Sequence, residues 1–229
     1  ELRTLLSAVP VEDINPGAVD SFFDGPFGGQ ANLMDVNGTL FFTAFDETRG
    51  TELWKSDGTA AGTVLVKDIN GDYPVGSYPG SLTNVNGTLF FTADDDNSGR
   101  ELWTSDGTKD GTVLVKDIRP GPPFGAYSFL YPSALTNVNG TLFFTADDGI
   151  NGRELWTSDG TEDGTVLVKN IRSAQYGSYP SSLTSVNGTL FFTADDGTNG
   201  TELWTSNGTE SGTVLVKNIR SGPYGSYPS

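Results

Sequence analysis

Three acidic stretches carry the side chains best suited to chemistry: Asp94-Asp95-Asp96-Asn97, Asp147-Asp148 with Asn151, and Asp195-Asp196 with Asn199. Paired carboxylates beside an amide and a glycine can give a hard cation several oxygen ligands, and a bound ion would relieve the repulsion between them. The chain has no histidine and no cysteine, which removes imidazole and thiolate metal sites and leaves calcium as the ion to expect. The alternating Asp spacing of an EF-hand loop is missing, so the competing reading is a solvated hairpin turn. The first repeat departs, with Phe45, Asp46 and Glu47 in that place. The expectation is a modest stabilisation by calcium, with no cofactor required.

A second set of candidates is aromatic. Tyr78, Tyr131, Tyr179 and Tyr227 each precede a proline in linkers rich in Gly, Pro and Ser. Side chains on connections are well placed for binding, and a Tyr beside a Pro of preset φ reads as an ordered crossover that packs on the sheet it introduces. Trp54, Trp103, Trp156 and Trp204 could stack on sugar rings, but each follows a Leu inside a strand pattern, which favours burial between sheets. Nothing suggests an enzyme: the arginines recur at equivalent places, such as Arg119, Arg172 and Arg220, whereas catalysis needs unlike groups converging once. Equal groups offered several times favour multivalent binding.

What must hold these residues is a repeat. ELWKSDGT from Glu52, ELWTSDGT from Glu101 and Glu154, and ELWTSNGT from Glu202 recur about every 50 residues, a period in the range of propeller blades. In the second unit the predicted strands are 82–85, 88–93, 99–105 and one beginning at Thr112. Asn86-Gly87 between the first two is the signature of a type I′ hairpin, repeated at Asn37, Asn139 and Asn187. Leu89 and Phe91 point to one face and Phe90 to the other, and Leu102 and Trp103 divide likewise. Strands apolar on both faces belong between two neighbouring sheets. Lys116 and Asp117 suit a charged, protected edge. The NGT triplets match the glycosylation pattern, but hairpin chemistry accounts for most of them.

The expected fold is all-β: a β-propeller of four-stranded antiparallel blades with four full repeats, the alternatives being an open array of stacked β-sheets or part of a larger propeller. The 229 residues read as one domain, with units over 31–69, 80–118, 133–171 and 181–219 and a leading orphan strand over 3–14, because LLSAVPVEDINPG matches the end of a repeat. That strand could be completed by a longer array, added at an edge of four closed blades, or exchanged with a neighbouring chain. The last would give oligomers or filaments. A formal charge of -16 argues against nucleic acid and anionic membranes as partners, and no apolar run is long enough to span a bilayer.

These octapeptides resemble the ELWxxDGT repeat proteins of bacterial surfaces and secretions, over nearly the whole chain, with Asn207 in place of the Asp in the last copy. The resemblance implies a propeller-like extracellular or cell-surface array and carries over no catalytic residue. A looser likeness is to the Asp-box hairpin of sialidase-type propellers, where Thr104, Asp106, Gly107 and Thr112 would stabilise the turn. The expected function is a non-enzymatic structural or adhesive scaffold that self-associates or binds partners multivalently. The alternative is a lectin-like propeller with one weak sugar site per blade, at the linker tyrosines.

Overall fold

The computed structural model describes residues 32–71, 76–120, 130–173, 176–222 and 224–228, together with 11, 13 and 14. The orphan strand expected over 3–14 therefore lies almost wholly outside the described residues. Within them the chain forms sixteen strands in four antiparallel sheets, each paired in chain order. Blade 1 holds β1 (Met34–Val36), β2 (Thr39–Asp46), β3 (Gly50–Ser56) and β4 (Val64–Lys67), and blade 2 holds β5 (Gly80–Val85), β6 (Thr88–Asp94), β7 (Arg100–Ser105) and β8 (Val113–Lys116). Blade 3 holds β9 (Ser133–Val138), β10 (Thr141–Asp147), β11 (Arg153–Ser158) and β12 (Val166–Lys169), and blade 4 holds β13 (Ser181–Val186), β14 (Thr189–Asp195), β15 (Thr201–Ser206) and β16 (Val214–Lys217). The protein is all-β, built from the propeller-type blades that the period implies.

Local chemistry sets each meander. Asn86 and Gly87 both have positive φ, 51° and 84°, as the type I′ turn requires, and its twist matches that of β5 and β6. The first strand begins two residues earlier than the sequence suggests, because it carries a bulge: the register between β5 and β6 shifts between Gly80 and Thr83, where Ser81 has φ 55°. A second shift falls between Leu102 and Trp103 against β8. Bulges add twist, which lets successive sheets stack.

Both faces of each inner sheet are used. Val36, Phe41, Leu53 and Val66 on the front of blade 1 meet Leu82, Leu89, Phe91, Ala93 and Trp103 on the rear of blade 2. Val85, Phe90, Leu102, Val115 and Ile118 on the front of blade 2 meet Leu142, Phe144, Ala146 and Trp156 of blade 3. The same joint recurs between blades 3 and 4. The alternation of Leu89 and Phe91 against Phe90, and of Leu102 against Trp103, follows the expected pleat, and Trp103, Trp156 and Trp204 are buried.

Polar bonds rivet each joint at its rims. Asn37, Asn86 and Asn139, from the hairpin turns, donate from Nδ2 to the carbonyls of Gly87, Gly140 and Gly188 in the following blade. Lys67, Lys116 and Lys169 reach from the fourth strands to the carbonyls of Thr112, Thr165 and Thr213. The charge that read as edge protection is therefore a donor across the joint. Its carbonyl acceptors close the turn that follows each ELW motif, so the motif of one blade anchors its neighbour.

Equivalent positions should not be equally important. Leu142 is fully buried between blades 2 and 3, while its counterpart Leu40 on the rear of blade 1 is 38% exposed. Leu142→Ala should cost ~2–5 kcal/mol through lost burial and a residual cavity, and Leu40→Ala ~1 kcal/mol or less. Urea unfolding of the two variants measures the difference.

Candidate functional site

The glutamate that opens each ELW motif is the buried centre of the crossover to the next blade. Glu52, Glu154 and Glu202 are fully buried. Glu52 accepts from the backbone N–H of Ile69 at 3.3 Å and of Ser77 at 2.8 Å, and from the Ser77 hydroxyl at 2.5 Å. Glu154 binds Ile171 N, Arg172 N, Ser178 N and Ser178 Oγ in the same way, and Glu202 binds Ile219 N, Arg220 N and Ser226 Oγ. One carboxylate thus ties the end of the fourth strand to the far end of the linker. The linker also lies directly on the third strand: a Cβ at Gly76 would stand 2.3 Å from Thr51 N, and its φ is +67°, so only glycine fits.

This clamp presents the tyrosines. Tyr78, Tyr179 and Tyr227 donate from their backbone N–H to Thr51, Arg153 and Thr201 at 3.0–3.1 Å, and all three have φ between 46° and 50°. Left-handed φ on a bulky residue is unusual and persists only where the surroundings fix it. Tyr131 is half-buried, its carbonyl accepting from Arg153 Nη1 at 2.9 Å. The ring of Tyr179 is exposed and does not pack on blade 4, contrary to the expectation, whereas Tyr78 and Tyr131, which introduce blades 2 and 3, are half-buried; Tyr227 is exposed as well. Sequence reading passed over Tyr176 and Tyr224, which are also exposed and lie under the guanidinium groups of Arg172 and Arg220, 5.7 and 5.9 Å from the ring centres. The shared string Tyr-Gly-Ser-Tyr-Pro was the available signal.

The acidic stretches occupy the hairpins between second and third strands of blades 2, 3 and 4. Asp148 Oδ1 accepts from Ile150 N and Asn151 N, and its Oδ2 from Asn151 Nδ2 at 2.7 Å. Asp196 repeats this with Thr198 and Asn199, and Asp95 with Asn97 N and Ser98 N. Asp94 accepts from Asp96 N. Asp147 and Asp195 close their own turns and take Arg119 and Arg172 from the preceding blade, at 2.6 and 2.7 Å. Asn151 and Asn199 receive Asn170 and Asn218. Among the described residues no group of three or more carboxylates gathers in a way that could hold a metal ion. Burial alone would raise the Asp148 carboxyl, but the bonds from Asn151 and Ile150 outweigh it and hold it below its ordinary value.

The turn after each ELW motif is likewise closed from within. Asp106 Oδ1 accepts from Thr108 N and Thr108 Oγ1, and Ser105 shares a 2.7 Å bond with Thr112. The Thr108 bonds lower the Asp106 carboxyl. Asn207 keeps both contacts in blade 4, so the amide serves as well as the acid.

One repeat departs from the clamp in sequence. Leu130 precedes Tyr131-Pro132 where Ser77, Ser178 and Ser226 precede the other Tyr-Pro pairs. Glu101 Oε2 is buried with no partner among the described residues. Burial first, countered by backbone bonds from Ile118 and Arg119 and reinforced by the charges of Asp117 and Asp95, pushes Glu101 up to about 8. Burial pushes Glu52 up to about 7 despite its Ser77 bonds.

No family model matches the chain, and no curated protein matches it significantly. Among solved structures it is similar to the S511A mutant of puromycin hydrolase complexed with PGG, at 15% identity and a TM-score of 0.46, over 83% of this chain and 28% of that one. It is also similar to a putative exo-beta-1,3-galactanase from Bifidobacterium bifidum s17 (11%, TM-score 0.39, 87% and 72%). An alpha-L-arabinofuranosidase from Clostridium thermocellum ATCC 27405 is a third (12%, TM-score 0.38, 85% and 73%). The chain spans under a third of that puromycin hydrolase, and all three likenesses are too remote to bear on chemistry.

Two outcomes follow from the carboxylates. Glu101 is protonated in the folded chain up to about pH 8 but titrates near its ordinary value when unfolded. The folded state therefore binds the extra proton, and stability falls as pH rises from about 4.5 to about 8. Glu101→Gln should flatten that slope in urea unfolding between pH 5 and 9 and be the more stable form at the alkaline end. Asp148→Ala should cost roughly 1–2 kcal/mol by opening its turn, and comparing the loss in EDTA with that in millimolar calcium checks the calcium expectation.

Proposed function

We propose that the chain is a non-enzymatic scaffold of the ELWxxDGT repeat type, acting outside the cell or at its surface, which self-associates and engages partners through groups repeated once per blade. The observation that carries this reading is how the chemical side chains are used. Glu52, Glu154 and Glu202 clamp crossovers, the SDGT residues close turns, and Asn and Lys rivet blades. Each role recurs in successive repeats, as multivalent display requires. The net charge of -16 suits neutral or basic partners.

A lectin-like activity is the second reading, and the exposed tyrosines favour it. Tyr176 with Tyr179, and Tyr224 with Tyr227, put two solvent-facing rings on each of the last two crossovers, held by a backbone pinned to the sheet below. Rigid aromatic rings stack on sugar faces at little entropic cost.

Binding to immobilised polysaccharides and to their soluble repeat units tests both. Multivalent display predicts retention on the polymer ~10²-fold or more above affinity for the single unit, and equal affinities would refute it. Stepwise loss of retention as Tyr179→Ala and Tyr227→Ala are combined marks the lectin. No binding to any glycan leaves the scaffold without it.

A further inference from the structure

The junction between the second hairpin of a blade and the end of its fourth strand is built in three different ways. In blade 1, Asp46 on the hairpin and Asp68 after β4 share the guanidinium of Arg49, at 3.2 and 4.0 Å. In blades 3 and 4 an asparagine replaces the second carboxylate, and amides make the bridge. Asn170 donates to Asn151, which donates to Asp148, both at 2.7 Å. Asn218, Asn199 and Asp196 repeat the chain. Each of these three blades places either a cation or an N–H donor between hairpin and strand end.

Blade 2 keeps both carboxylates and supplies neither. Asp95 and Asp117 stand at the places of Asp46 and Asp68, and the short Ser98 stands where Arg49, Asn151 and Asn199 stand. The hairpin keeps its shape, since Asp95 Oδ1 accepts from Asn97 N and Ser98 N as Asp148 Oδ1 does from Ile150 N and Asn151 N. Asp117 Oδ1, however, is buried with no hydrogen-bond partner among the described residues. Glu101 is only 4% exposed, and its Oε2 is unpartnered in the same way. These carboxyls feel one another: burial and then the charge of Asp95 raise Asp117, and burial and then Asp117 and Asp95 raise Glu101. The neighbouring bases are engaged elsewhere, Arg119 with Asp147, Lys116 with Thr165 and Arg100 with Thr92. Residues 121–129 contain no lysine or arginine.

We infer that blade 2 binds a calcium ion between its acidic hairpin and the end of β8, held by the carboxylates of Asp95 and Asp117 and the hydroxyl of Ser98, and balanced by the buried Glu101. The ion does there what Arg49 does in blade 1. Both unpartnered oxygens are buried, so a bare cation suits them better than a side-chain base from a partner. All the donors are oxygen, and calcium accepts irregular coordination completed by water, whereas magnesium demands a near-ideal octahedron. Three converging carboxylates are not required, and the described residues gather none. Two carboxylates suit the affinity of extracellular modules, a dissociation constant of about 10⁻⁴–10⁻³ M. The hairpins of blades 3 and 4, bridged by their own asparagines, do not share the site.

Calorimetric titration of the 229-residue chain with calcium alone tests this. One ion per chain should bind, more tightly as pH rises towards about 8 and Asp117 and Glu101 release their protons. Asp117→Asn, which copies blades 3 and 4, should weaken binding about tenfold or more, because a charged ligand is lost. Ser98→Arg, which copies blade 1, should abolish it and raise the melting temperature in EDTA. Asp148→Ala, in the hairpin of blade 3, should leave the affinity unchanged.

No binding at calcium concentrations tenfold above that range overturns the inference. So does undiminished binding by Asp117→Asn or Ser98→Arg, or binding lost in Asp148→Ala and kept in Asp117→Asn. The wild type supplies a second test that needs no variant. A bound cation favours the charged carboxylates, so saturating calcium should cancel the fall in stability between about pH 4.5 and about pH 8. A slope that persists in calcium counts against the site.

Discussion

A sheet that is apolar on both faces cannot remain in water unless something covers both, and this constraint organises the chain. Phe90 and Leu102 on one side of blade 2, and Leu89, Phe91 and Trp103 on the other, make the blade a layer that is complete only between neighbours. Stability in such a stack is a sum of weakly self-sufficient units and the joints between them, so the joints carry the weight. The Asn and Lys rivets fix their register, which apolar contact alone leaves loose. Everything with chemical potential in the repeat then follows from where a joint, a turn or a crossover needs a bond.

Legibility in the sequence followed the range of the interaction. Asn86-Gly87, the alternation through Thr88 to Ala93 and the placement of Trp103 are local signals, read from turn chemistry and a period of two, and the structure agrees with each. The partners of Lys116 and Asn86 lie about 50 residues away in the next blade, and nothing local distinguishes a lysine on a solvated edge from one that spans a joint. Glu101 and its counterparts were hidden for the same reason. A glutamate between a glycine-containing loop and Leu-Trp reads as a solvated strand end until the crossover is seen folding over it.

The candidate site was legible in part. The Tyr-Pro pairs are ordered, as their repetition implied, and at Tyr78, Tyr179 and Tyr227 the cause is the Gly-Ser before them: the glycine meets the strand below and the serine meets the buried carboxylate. The acidic hairpins attract attention because carboxylates in a row are so often ligands. In these turns the amide of Asn151 or Asn199 and the backbone N–H groups bond to them and shape the loop. Composition displays which atoms are available, whereas their use depends on a loop geometry that composition does not encode.

The substitution of Leu130 for the crossover serine makes the repeats unequal. Three clamps give the carboxylate a serine hydroxyl as well as N–H groups; at Glu101 Leu130 takes the serine's place in the sequence, and burial pushes the carboxyl up to about 8. Nominally identical modules thus differ in the proton affinity of their buried glutamates. Local opening in a repeat stack begins at its weakest unit, so an alkaline medium, which charges the buried Glu101, would be felt in the interior of the array and not only at its ends.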